Sequence, residues 1–152
     1  MNGRAAGFTL VEVLLASAVV SIVARIAIPN VHDVLLRARA AEAVADIRAV
    51  EVAAHNYWAD ELGWPGDAPA GSPPAELIEY LPDGFSFTKD GFVLDWENWR
   101  LPHGLPGDPD ATNILGVSVV PANEGLAGAF RQVLGGSTWF VVGNTYTYIV
   151  ER

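Results

Sequence analysis

"GFTLVEVLLASAVV", residues 7–20, sets one carboxylate, Glu12, inside a run with the apolar character of a membrane-spanning helix. From Phe8 to Ile28 only Glu12 and Arg25 are charged. As a helix this stretch spans roughly 31 Å at 1.5 Å per residue, against a hydrocarbon core of about 30 Å. A charge near the bilayer centre costs about 2.5–3.5 kcal/mol even on insertion scales, so such a residue faces a partner or a pathway. The polar leader MNGRAAG carries one arginine, Arg4, while Arg25, Arg37 and Arg39 follow it, so charge counting leaves the orientation open. A secretory signal cleaved at Ala16-Ser17-Ala18 is the ordinary alternative. Against it, the apolar run continues ten residues past that site and its centre would hold Glu12.

The helical pattern does not end at Pro29. In residues 31–58, Val31, Val34, Leu35, Ala38, Ala41 and Ala45 recur at helical spacing, joined by Val44, Ile47, Val50 and Ala54. Asp33 precedes Arg37 in the favoured i,i+4 order, and alanine supports helix throughout. One long helix results, with Pro29 predicting a kink or loosened turn because its ring crowds the carbonyl of Arg25.

Gly7-Phe8-Thr9-Leu10-Val11-Glu12, the apolar run, Pro29 near its outer end and the Ala-rich extension together resemble the N-terminus of type IV pilins and type II secretion pseudopilins. The resemblance covers roughly residues 1–58. It implies cleavage between Gly7 and Phe8 by a prepilin peptidase and N-methylation of Phe8; the cost of burying its charge, with the freed Phe8 amine one helical turn away, gives Glu12 an expected role in assembly. The resemblance further implies an inner-membrane assembly platform and other pilin or pseudopilin subunits as partners. Arg25 departs from the family, where small or apolar residues occupy that stretch.

The distal half is different material. Residues 1–59 hold five acids and five bases, residues 60–152 thirteen acids and four bases, so the distal half carries the whole net charge of -9. An acidic half repels phosphate, which argues against nucleic-acid binding. No cysteine is present, which excludes a disulfide framework and a thiolate site. Residues 61–84, rich in Pro and Gly, read as a long ordered loop with a helical turn around Glu76–Tyr80. FSFT (85–88) and FVLDWENW (92–99) flank Lys89-Asp90-Gly91 as a hairpin, and a second loop, LPHGLPGDPDATN, follows. GVSVVPA (116–122) is a further strand, Asn123 is placed to N-cap a helix closed by Gly135, and TWFVV-GN-TYTYIV is a second hairpin.

No P-loop, G-x-G-x-x-G, H-E-x-x-H or G-x-S-x-G is present, and His32, His55 and His103 are too scattered to ligate one metal, so the chain does not read as an enzyme. Asp108, Asp110 and Asn113, with Asp95 or Glu97 nearby, offer the oxygen ligands calcium selects, and some pseudopilins resemble this in carrying calcium in a distal loop. The spacing is not that of an EF-hand, and Asp in a Pro/Gly loop ordinarily makes turns. In Asp95–Arg100, alternation puts Trp96 and Asn98 on one face of a strand and Glu97 and Trp99 on the other, so one Trp packs in the core.

The sequence therefore predicts an α+β chain: a leader at 1–7, a membrane-spanning or filament-core helix at 8–28, its amphipathic continuation at 29–60, and a globular domain at 61–152. Four or five short antiparallel strands pack on the second half of the helix in a pilin-like arrangement, with Trp58, Trp96, Phe130, Trp139 and Phe140 in or near the interface. The expected place is the inner membrane, single-pass, with the distal domain extracytoplasmic. A membrane-tethered binding module that never assembles is the alternative function.

Overall fold

The computed structural model describes residues 7–101, 113–134 and 139–151. The chain divides into two compact units, Met1–Leu35 and Leu36–Arg152. A single helix, α1 (Leu10–Glu61), supplies nearly all of the described part of the first unit and the opening of the second. Helical residues continue through Pro29. The missing N–H of Pro29 deprives the Arg25 carbonyl of its usual donor, and one residue on the Asn30 side-chain amide donates to the Ile26 carbonyl at 3.1 Å.

In the first unit α1 buries nothing, and its Val, Leu and Ile side chains stand exposed from Leu10 to Leu35. In the second unit it buries Ala40, Ala43, Ile47, Val50, Ala53 and Ala54. This stripe corrects the predicted one: Val31, Val34, Leu35, Ala41 and Ala45 are exposed. The buried residues Ala40, Ala43, Ile47, Val50 and Ala54 keep helical spacing, on a face turned from the predicted one.

The sheet holds five strands, β1 (Thr88–Lys89), β2 (Phe92–Arg100), β3 (Asn113–Pro121), β4 (Trp139–Val142) and β5 (Thr145–Glu151), all antiparallel in the order β1-β2-β3-β5-β4. Its inner face contributes Phe92, Leu94, Trp96, Leu115, Val117, Val119, Tyr146 and Tyr148 to one core with the α1 stripe. A second helix, α2 (Glu124–Val133), adds Leu126, Ala127 and Phe130. Asn123 caps it as expected, its side-chain oxygen accepting from the Leu126 amide at 2.9 Å. The expected closing residue, Gly135, lies outside the described residues.

Both hairpins form where the sequence places them. The second turns through Gly143, whose φ of +61° suits a glycine at the first central position of a tight turn. The first is shorter than predicted: only Thr88–Lys89 pair as a strand beside β2. Leu94 of β2 accepts from the Gly71 amide at 2.8 Å and donates to Phe87 at 2.8 Å, while the Asn98 amide donates to Asp67 at 3.3 Å. The Pro/Gly loop has thus taken the strand edge that a longer β1 would use, and it covers that edge against further pairing. The predicted turn around Glu76–Tyr80 is a short 3-10 helix, Ala75–Leu77, followed by hydrogen-bonded turns.

Of the five aromatic residues expected at the interface, Trp96 and Phe130 are fully buried and Trp139 packs against Tyr148 with ring centroids 5.4 Å apart. Trp58 and Phe140 are corrections. Trp58 stacks on Trp64 of the following loop and stays 44% exposed. Phe140 pairs across the hairpin with Thr147, which faces away from the core, and is 64% exposed. Alternation put its neighbour Trp139 on the inner side and Phe140 on the outer.

Candidate functional site: the start of the long helix

The site begins at Phe8, 89% exposed, and ends one turn into α1. Thr9 flanks the first helical residue, and Glu12 is the third residue of the first turn. The two close on each other. The Thr9 amide and the Thr9 hydroxyl both donate to the Glu12 carboxylate, each at 2.8 Å, and the Glu12 amide donates to the Thr9 hydroxyl oxygen at 3.3 Å. This is a capping box, in which two orphan donors at the helix start are satisfied by side chains that also satisfy each other. The negative charge lies at the positive end of the helix dipole, where it is favourable. Sequence reasoning placed Glu12 at the site and missed Thr9, although Thr-x-x-Glu before an apolar run is a readable signal.

The polar groups farther along the first unit are satisfied in the same local way. Ser17 donates its hydroxyl to the Leu14 carbonyl at 2.8 Å and Ser21 to the Ser17 carbonyl at 2.7 Å. Such back-bonding lets a hydroxyl sit in an apolar surrounding without an unmet donor. The helix that results is long and apolar enough to cross a membrane. Among the described residues no acid forms an ion pair with Arg25.

Gly7 and Phe8 precede the helix in irregular backbone. Pro29 lies within the helix, far from this site along the axis. The candidate calcium ligands divide: Asp108 and Asp110 lie outside the described residues, and Asn113 opens β3, where its amide donates to the Asn98 side-chain oxygen at 2.9 Å. Asp95 and Glu97 sit on the outer face of β2, and no cluster of three His, Asp or Glu side chains suited to a metal occurs among the described residues.

The family of the prokaryotic N-terminal methylation motif matches residues 2–27, which include every residue of the capping box. The chain is similar to two forms of the type IV major pilin protein PilE1 of Neisseria gonorrhoeae. It is 34% identical to one over 79 residues (51% of this chain, 37% of the relative) and 32% identical to the other over 80 residues (51% and 48%). A fimbrial protein of Neisseria meningitidis serogroup B is 34% identical over 67 residues, 44% of this chain and 39% of the relative. The chain thus spans less than half the length of these curated relatives. No solved structure matches it significantly. The chain thus carries the prokaryotic N-terminal methylation motif on its exposed apolar helix, is similar to type IV pilins over about half its length, and has the pilin-like layout of a small antiparallel sheet after that helix.

Proposed function

We propose that this chain is a structural subunit, pilin or pseudopilin, of a helical filament of a type IV pilus or type II secretion system. In this reading it is stored in the inner membrane with its distal domain outside the cytoplasm, cleaved after Gly7 by a prepilin peptidase, methylated on Phe8, and passed by an assembly platform into the filament. The observation that carries the reading is the coincidence of the methylation motif with an exposed apolar stretch of membrane length, residues 8–28, that has one carboxylate, near its start.

Glu12 is the residue on which assembly turns. Cleavage leaves the amine of Phe8 four residues before it, about 6 Å along the axis. In a staggered stack of helices the carboxylate meets the amine of a neighbouring subunit, and each charge lowers the burial cost of the other. The capping box gives Glu12 a local resting place before that partner arrives, holding the carboxylate on hydrogen bonds. Arg25 is a poor partner within the chain, since thirteen residues rise about 20 Å and turn it to another face.

Glu12→Ala is expected to insert and to be cleaved but to stay out of filaments, with Glu12→Asp intermediate, as read by shearing filaments from cells at equal protein level. Wild-type amounts of filament from Glu12→Ala would overturn the assembly role. Gly7→Glu is expected to leave the full-length chain in the membrane, because only a side-chain-free residue lets the backbone lie close in a protease site.

A further inference from the structure

The outer face of the sheet, turned away from the α1 stripe, holds a feature the filament reading does not use. A cleft of about 300 Å³ lies over β2, β3, β5 and β4, walled by Trp99 and Ile114 at one end, Phe140 and Val142 at the other, and Ile149 at the side. Among the described residues, the charged group that lines it is Glu97.

The strand register sets which residues stand beside one another there. Across the sheet, Glu97 of β2 pairs with Gly116 of β3, and Gly116 pairs with Ile149 of β5. Gly116 is buried, and neighbouring atoms already fill the space its side chain would need. A Cβ on Gly116 would lie 2.9 Å from the Thr147 methyl and 3.0 Å from the Tyr148 carbonyl oxygen. One row away, Ser118 is 1% exposed and fixes the carboxylate: its hydroxyl donates to Glu97 Oε1 at 2.9 Å and lies 2.8 Å from the Thr147 hydroxyl. Glu97 is therefore held by a hydrogen-bonded chain across three strands, not left to wave in solvent.

Charge and ring chemistry fix the class of occupant. The charged residues that β2 and β3 place on this face are Asp95 and Glu97, both acidic. A single anchored carboxylate between two exposed aromatic side chains suits a cation with an apolar body: the cation pairs with the carboxylate, and the aromatic walls favour it through cation–π attraction and cover the apolar part. An anion would face uniform repulsion, and a neutral apolar molecule would leave the carboxylate desolvated without a partner.

We propose that this cleft is a binding site for a small organic monocation, an amine or quaternary ammonium on an aromatic or branched apolar body, seated with its charge at Glu97 and its body between Trp99 and Phe140. The site is independent of whether the chain enters a filament.

The test uses the full chain in lipid nanodiscs, labelled with fluorotryptophan, with the Trp99 resonance assigned by Trp99→Phe and empty nanodiscs as the partition blank. The probes are 2-phenylethylammonium, its neutral analogue 2-phenylethanol and its anionic analogue phenylacetate. The amine is expected to shift the Trp99 resonance saturably, about tenfold tighter than the alcohol, with no shift from the anion. Glu97→Gln retains the acceptor for Ser118 and so preserves the fold; it is expected to weaken the amine to the level of the alcohol while leaving the alcohol unchanged. Equal affinity for amine and alcohol, an amine affinity unmoved by Glu97→Gln, or no saturable shift with the amine would each overturn the assignment.

Discussion

Thr9 and Glu12 close the start of the helix, and the proposed assembly role sets a second demand on the same carboxylate. The pair finishes the helix with its own hydrogen bonds, and the same carboxylate stands one turn from the amine that processing would expose. The two roles separate by substitution. Glu12→Gln keeps the capping box, which accepts Gln as well as Glu, but removes the charge. If pairing with a neighbouring amine drives assembly, Glu12→Gln fails to form filaments as Glu12→Ala does. Filaments restored by Gln would show that the cap alone is what assembly needs. Glu12 stood out in the sequence by its place in an apolar run. That Thr9 holds it was readable from the same four residues.

Asp95 was not legible in this way, because its surroundings come from three different parts of the chain. Burial, with the nearby charges of Glu97 and Asp67, pushes its carboxyl from 3.8 up to about 6, and its Oδ1 has no hydrogen-bond partner. The folded chain then keeps a proton that the unfolded chain releases, so this group's contribution is present below about pH 4 and is lost as pH rises through about 6. Asp46, also raised by burial and only partly offset by Lys89 at 3.3 Å, acts in the same direction. Asp95→Asn is expected to raise stability at pH 7 by about 1–2 kcal/mol, after allowance for partial solvent access, and to change nothing at pH 3. Denaturant unfolding at the two pH values checks this, and an equal effect at both would contradict it.

At the level of elements, the most local signals were the most reliable. Asn123 before a helix, Gly-Asn between β-branched runs and Asp-Gly between apolar runs each act over a few residues, and each forms what its chemistry predicts. Asn123→Ala is expected to cost about 1 kcal/mol by removing the acceptor for the Leu126 amide, and Asn123→Asp to retain most of it. The extent of β1 and the buried stripe of α1 were misread because tertiary packing sets both: a loop from residues 64–72 occupies the edge of β2, and α1 buries a face turned from the predicted one. Within β2, alternation correctly put Trp96 inside, where its indole N–H donates to the Pro65 carbonyl at 3.3 Å. Trp96→Ala is expected to cost about 3–5 kcal/mol in urea unfolding. A much smaller loss would mean that the β2 face is not the centre of the core.

For the whole molecule, the contrast between the two halves of the sequence has a structural counterpart. A helix with an apolar exposed surface comes first, and a domain with its own buried core and the whole excess of acid follows it. An apolar helical surface of this extent is suited to lipid or to other helices, and in the proposed function the subunit meets each in turn. The measurement that bears most directly on this account is the intact mass of the chain in the sheared filament fraction. The account predicts the chain in that fraction, lacking residues 1–7 and carrying one added methyl group on Phe8. Its confinement to the membrane fraction as an unprocessed chain beginning at Met1, or a product beginning at Val19, would contradict it.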